Sequence, residues 1–263
     1  LFSLINSINY LEMRGRDSLG LCIQIKFKKI DDFYLQRLKK KKIHVIKDKQ
    51  FLIVTFVFKT YNSIGLLRQN STEILNKLFS EKILIDLLDE EFEITSLFFH
   101  TRWASVGKIN INNTHPIHDL NDNNNLISYS SVNGDIYNYK EIIDTYQKNS
   151  TNINTACLTD SLALSISIGK ILNTKNKNKK KLLLNKLHGS YCSCTISDRN
   201  SGVIFLVKKG QQGLYIGNSI DRYYFASDVY GLVEESDKFF KVDNDCYFNL
   251  PVNSKSELVI SNY

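Results

Sequence analysis

The chain has 263 residues, 43% of them hydrophobic and 23% charged, with a formal net charge of +7 and a pI near 9.0; such a composition buries a sizeable core and excludes a disordered polymer. Its lysines are scattered among asparagine and isoleucine, so the basic charge reads as general surface electrostatics rather than a nucleic-acid stripe. The longest apolar run, residues 51–58, falls far short of the ~20 residues a spanning helix needs, and the first residues lack the charged head of a signal peptide. We therefore expect one large domain in the cytoplasm, with no membrane and no nucleic acid among its partners. The five cysteines show neither a CxxC pair nor metal-ligand spacing, so no disulfide framework, metal or cofactor is expected.

Leu1, Leu4, Ile5, Ile8 and Leu11 recur at helical spacing and predict an amphipathic entry helix, which Arg14 to Ser18 breaks. A strand follows at Leu19–Phe27, holding Cys22 as a core residue, then a lysine-rich stretch at Lys39–Lys42 and a second strand at Phe51–Phe58. Residues 72–91 alternate apolar and charged positions as helices do. Ile94–Phe99 reads as a buried strand ending at His100, with a mobile loop beginning there and a polar surface loop over Asn110–Asn125. Leu126–Val132 is a strand expected to deliver Asn133-Gly134 to a turn, and Asn138–Gln147 a helix. Thr159 is read as the N-cap of a helix over Asp160–Leu172, with Asp160 suited to the helix dipole.

Lys175–Lys181 reads as a solvated basic loop. Strands then dominate, at Ser190–Ile196, Val203–Val207, Leu214–Ile216, Arg222–Ala226 and Phe239–Phe248, with a short helix near Tyr230. Cys192 and Cys194, two apart in a strand, face one side of the sheet. Strand-rich ends enclosing helices, without regular alternation, argue for α+β.

Three short strings carry chemistry. An arginine forks onto a carboxylate, an aspartate pairs an ammonium group, and an asparagine amide beside a glycine N–H can hold an oxyanion. Arg102, Asp160 and Asn133-Gly134 are candidates for these tasks on an amino-acid amide such as glutamine. Each alone has a plainer reading: Asn-Gly as a turn, Arg-Trp as a surface pair, Thr-Asp as a helix start. Their combination raises the odds.

With these strings in place, the chain resembles the class II, N-terminal-nucleophile glutamine amidotransferases, most closely the glutaminase domain of glucosamine-6-phosphate synthase. Leu11-Glu12-Met13-Arg14-Gly15-Arg16-Asp17-Ser18-Leu19-Gly20 is similar to Leu-Glu-Tyr-Arg-Gly-Tyr-Asp-Ser-Ala-Gly of that family, and His100-Thr101-Arg102-Trp103-Ala104-Ser105 to His-Thr-Arg-Trp-Ala-Thr. Asn113-Thr114-His115-Pro116, Asn133-Gly134 with Tyr139, and Thr159-Asp160-Ser161 resemble its Asn-Ala-His-Pro, Asn-Gly and Thr-Asp-Thr strings. Trp103 sets the chain apart from amidophosphoribosyltransferase and asparagine synthetase, which have other residues there. The resemblance implies a four-layer αββα N-terminal-nucleophile hydrolase fold, two stacked antiparallel sheets between helices. It implies that Arg102 and Ser105 hold the glutamine α-carboxylate, that Asp160 pairs the α-ammonium, and that Asn133 and Gly134 hold the oxyanion. Trp103 then belongs to a loop that closes over the substrate, Arg14 and Asp17 are supporting residues, and Tyr139 and His115 pack nearby.

The family attacks glutamine with an N-terminal cysteine whose own α-amine is the base, releasing ammonia for amino sugar biosynthesis. Residue 1 here is leucine, so residues 1–263 are expected to be an amidotransferase domain lacking its nucleophile strand, binding glutamine without hydrolysing it. A sugar isomerase domain, a sugar-phosphate acceptor such as fructose 6-phosphate and a homodimer made through that domain are implied in a longer protein. Val106 replaces a histidine of the family, removing a donor to substrate. The alternatives are a degenerate glutamine-binding regulatory module and a basic nucleic-acid-binding module.

Overall fold

The structure, a computed structural model, describes residues 2–104, 107–120, 127–148, 157, 159–198 and 202–263. Helix α1 (Phe2–Leu11) turns Ile5 and Ile8 into the core and ends in a 3-10 turn at Glu12–Arg14. Strand β1 (Ser18–Phe27) lies inside a four-stranded antiparallel sheet ordered β2-β3-β1-β4, where β2 is His44–Asp48, β3 Phe51–Thr60 and β4 Phe92–Arg102. Both faces of β1 are covered, which is why it reads as a continuous apolar run rather than an alternation. Leu19, Leu21, Ile23 and Ile25 on one face pack beneath α2 (Asp32–Lys40), α3 (Gln69–Ser80) and α4 (Lys82–Leu87), which contribute Leu38, Ile74, Leu78, Ile83, Leu84 and Leu87. Cys22 on the other face meets Phe98, Cys194, Leu206 and Phe248 in the layer between the sheets.

The second sheet is ordered β13-β12-β8-β7-β6-β5, from β5 (Ile117–Leu120), β6 (Ile127–Ile136), β7 (Gly189–Ser197), β8 (Ile204–Lys209), β12 (Cys246–Leu250) and β13 (Ser261–Asn262). Its outer face packs against α5 (Tyr139–Gln147), α6 (Ser161–Leu172) and α7 (Lys177–Asn185) through Leu164, Ile168, Ile171 and Leu184. The result is helices, sheet, sheet, helices, the α+β order expected. A third sheet, β10-β9-β11, is made from β9 (Tyr215–Asn218), β10 (Tyr223–Ala226) and β11 (Lys238–Lys241). Every strand pair among the described residues is antiparallel.

One buried amide ties the layers together. Gln24 donates to Thr55 Oγ1 (3.2 Å), and its Oε1 accepts from Ser96 Oγ (3.2 Å) and from the Gly202 N–H (3.1 Å). A buried polar group satisfied in this way fixes which strands face each other.

Several sequence expectations are corrected. Lys175–Lys181 is not a loop throughout: Asn176 caps α7 by accepting from Lys179 N–H (3.1 Å), and the helix buries Leu184. Asn110–Asn125 is not all surface loop, because Asn113, Thr114 and His115 are buried and Ile117–Leu120 is a strand; residues 121–126 lie outside the described part, as does Leu1. Phe239–Phe248 divides into β11 and β12. The Lys39–Lys42 stretch ends α2, whose one buried residue is Leu38. Among the described residues no helix is long and apolar enough to cross a membrane.

Candidate active site

Arg102 closes β4 and pairs with Ser18 of β1, so the strand runs three residues past the predicted end at Phe99. The bend that follows is clamped by Asp17. Its N–H donates to the Arg102 carbonyl (3.0 Å), and its carboxylate accepts from the Ala104 N–H (2.8 Å). Gly15 lets the two segments touch: a Cβ there would stand 2.8 Å from the Arg102 carbonyl carbon and from the Trp103 nitrogen. The Gly15-Arg16-Asp17-Ser18 string is thus the cradle of the Arg102–Ala104 bend. Trp103 is 67% exposed on it. Ser105 and Val106 lie outside the described residues.

Arg102 itself is buried. Desolvation pulls its guanidinium below the usual range, and the negative charges of Asp160 and Asp17 oppose that pull. Beneath it, His100 stacks on His115 with ring centroids 4.2 Å apart. Burial, reinforced by the Arg102 charge, takes His100 down to about 3 and His115 well below the ordinary histidine range, so both rings stay neutral at working pH. The His115 carbonyl presses on β1 where a Cβ at Gly20 would come within 1.7 Å of it.

Asp160, and not Thr159, caps α6. Its Oδ1 accepts from the Ser161 N–H (2.9 Å) and its Oδ2 from the Ile136 N–H of β6 (2.9 Å). Burial raises this carboxyl, while the two N–H bonds and Arg102 work against the rise. Removing the carboxylate by Asp160→Ala loses the cap, worth about 1 kcal/mol, and leaves the buried Ile136 N–H unpaired at a further ~1–3 kcal/mol. Urea denaturation is expected to show the sum, and an unchanged midpoint would contradict this geometry.

Asn133 and Gly134 do not form a turn. They lie inside β6, opposite Cys192 and Tyr191 of β7, and pairing continues to Ile136. Gly134 adopts φ +112°, and a Cβ would sit 2.1 Å from the Ser190 carbonyl oxygen. The Ile136–Asp160 bond places this end of β6 beside the carboxylate that also acts on Arg102. Arg102, Asp17, Asp160 and the Asn133-Gly134 strand end are therefore brought together. Arg14 lies apart from that group, half exposed, donating to Asp228 (3.1 Å) and to the Ser227 carbonyl (3.4 Å). Tyr139 packs into the core outside β6.

Sequence reasoning missed Lys59, which pairs with Gly20 and is pulled down to about 8 by burial. Its charge acts on His115 and Cys157; nothing in the β3 string marked it. All five cysteines are buried. Desolvation raises every one of these thiols, Cys246 to about 11 and Cys192 to about 12, so none is a ready thiolate. Among the described residues no group of three histidine, cysteine or acidic side chains could hold a metal ion.

Residues 100–234 match the family model described as a glutamine amidotransferase domain. A glutamine–fructose-6-phosphate aminotransferase (isomerizing) of Listeria monocytogenes is 29% identical over 189 residues, 70% of this chain and 30% of that protein. The protein of that name from Francisella tularensis is 27% identical over 241 residues, 91% of this chain and 32% of that protein. The chain thus spans about 30% of the length of these relatives. Two solved structures share its fold at 15% identity and a TM-score of 0.62: an allosteric regulatory enzyme of purine biosynthesis, matched over 99% of this chain and 46% of that one, and a B. subtilis glutamine phosphoribosylpyrophosphate amidotransferase, over 98% and 45%. They share the layered α+β fold, two antiparallel sheets between helices. With the buried arginine, the capping aspartate and the in-strand Asn-Gly inside the matched half, this chain belongs to the glutamine amidotransferase domain family.

Proposed function

We propose that the chain is the glutaminase half of a sugar-phosphate aminotransferase, releasing ammonia from glutamine to aminate fructose 6-phosphate to glucosamine 6-phosphate. The observation that carries the site is the convergence of Arg102, Asp160 and the Asn133 end of β6 through the Asp160–Ile136 bond. The acceptor is taken from the named activity of the Listeria and Francisella relatives.

In this mechanism Arg102, with Ser105, forks onto the substrate α-carboxylate, and Asp160 pairs the α-ammonium. Trp103, exposed on its clamped bend, closes over the bound amino acid. A thiol at an amino terminus attacks the amide carbon while its own α-amine takes the thiol proton. The oxyanion is held by the Asn133 amide and the Gly134 N–H. Collapse breaks the C–N bond, the ammonium proton passes to the departing nitrogen, and ammonia leaves a glutamyl thioester. Water hydrolyses the thioester to glutamate and restores the thiol. The five internal cysteines are buried and none carries a free α-amine beside its thiol, so none of them takes this role.

The test compares glutamate release by residues 1–263 with release by the same chain extended at its N-terminus to a first cysteine. Release from the extended protein only is expected. No release from a folded, extended protein that still binds glutamine would leave a binding module in place of an enzyme. Asp160→Asn in the extended protein removes the charge that meets the ammonium group while retaining a cap oxygen. We expect KM for glutamine to rise about 30- to 160-fold, from ~2–3 kcal/mol of lost pairing; an unchanged KM would remove Asp160 from the substrate contact.

A further inference from the structure

The basic charge of the chain, dispersed along the sequence, is gathered in space. Residues 139–186, which include α5, α6 and α7 on the outer face of the second sheet, hold nine lysines, no arginine and three acids, one of them the buried Asp160. Nine lysines against three acids give +6 of the chain's +7, which leaves +1 for all the rest. The helices over the first sheet show the opposite habit: Arg37 pairs with Asp86 (2.6 Å), Lys41 with Glu81 (2.7 Å) and Lys77 with Glu73 (2.9 Å). Among the described residues no ion pair engages Lys175, Lys177, Lys179 or Lys186.

Packing decides which side of α7 meets water. Leu184 is fully buried beneath the helix, and Lys180 and Lys181, four and three residues before it, share that side and are partly buried. The opposite side carries Lys179, Leu182 and Lys186 at spacings of three and four, with Leu182 59% exposed between the two lysines. No acid occurs in α7, and its first turn holds Lys177, Lys179 and Lys180, where the macrodipole disfavours cations. The row continues past the helix. Asn138 Nδ2 donates to the Lys186 carbonyl (2.9 Å) and the Tyr137 N–H to the His188 carbonyl (2.8 Å), which sets Tyr137, 71% exposed, at the Lys186 end.

We propose that the outer side of α7, from Lys179 through Leu182 and Lys186 to Tyr137, is a peripheral docking site for a bilayer surface of acidic phospholipids. The residue types select that partner. Lysine is a compact point charge suited to a diffuse anionic plane, whereas a single carboxylate or phosphate favours the planar fork of arginine, of which this layer has none. An exposed leucine among the lysines gains nothing from a phosphate backbone but enters the headgroup boundary, and a tyrosine beside it suits that interface. Protein interfaces are depleted in lysine. A nucleic acid running from one lysine-rich stretch to the other would need Lys39–Lys42 on this face, yet these end α2 on the far side of both sheets. The contact is adsorption to a surface, since among the described residues no helix is long and apolar enough to cross a membrane.

The experiment is flotation of the 263-residue chain with lipid vesicles. The chain is expected to float with phosphatidylcholine vesicles holding about 30% phosphatidylserine at about 0.1 M salt, to stay behind with pure phosphatidylcholine, and to be released at about 0.5 M salt. Lys179→Gln with Lys186→Gln is expected to weaken binding at least ~10-fold, and Leu182→Ser at least ~3-fold. Lys39→Gln with Lys40→Gln removes the same net charge from the opposite side of the molecule and is expected to leave binding unchanged. All five side chains are exposed, so circular dichroism of the variants is expected to match the parent. No flotation of the folded chain, equal weakening by the Lys39 and Lys40 pair, or full binding by the Leu182→Ser protein would overturn the proposal. So would a fluorescent single-stranded oligonucleotide that the parent and the Leu182→Ser protein bind at least as tightly as the vesicles, a result that assigns the patch to nucleic acid.

Discussion

In the protein extended to an N-terminal cysteine, Arg102→Ala is expected to lower kcat/KM for glutamine by two to three orders of magnitude. The guanidinium is buried at the end of β4, and its charge is felt by Asp160 and Asp17. Truncating one partner of a desolvated charge pair costs about 3–4 kcal/mol, since the substrate carboxylate would then enter a site with no cation and two carboxylates nearby. Arg102→Lys returns the charge without the planar fork and should recover only part of the loss. Circular dichroism and the exchange rates of β1 amides separate lost binding from lost folding. A folded Arg102→Ala protein with wild-type kcat/KM would remove Arg102 from the site.

Gly134→Ala is the substitution expected to cost most stability for one added methyl group. The φ of +112° disfavours any side chain, and the Cβ would stand 2.1 Å from the Ser190 carbonyl oxygen and 2.9 Å from the Tyr191 Cα, both backbone of the partner strand. Neither can swing aside as a side chain does, so β6 and β7 must separate just where Asn133 is held. A cost of about 3 kcal/mol follows from backbone strain with overpacking, or a fall of ~6–12 °C in Tm for a chain of this size. Thermal unfolding monitored by circular dichroism checks it. Retention of the wild-type Tm would mean that Gly134 does not have this conformation.

Local pattern carried much of the architecture. The spacing of Leu4, Ile5, Ile8 and Leu11 determines α1, and the apolar runs of β1, β3 and β8 were legible because a strand covered on both faces leaves little polar alternation. The strings around Arg102, Asn133 and Asp160 were legible as chemistry, since carboxylate, ammonium and oxyanion each select a residue type. What failed in the sequence was set by residues far away in the chain. Asn-Gly is a turn by local propensity, yet pairing with β7 carries β6 through it. Thr159 looked like the cap, but Asp160 takes that place because the Ile136 N–H supplies a second bond to its carboxylate. The lysine-rich stretch of α7 is helical by virtue of its Asn176 cap and the docking of Leu184, a burial too small to register as a period. The gathering of net charge on one helical layer has no local signature at all. A layer is defined by which helices pack on one face of a sheet, so tertiary structure alone decided that lysines dispersed between residues 140 and 186 would share the outer side of the second sheet while those of α2 lie over the first.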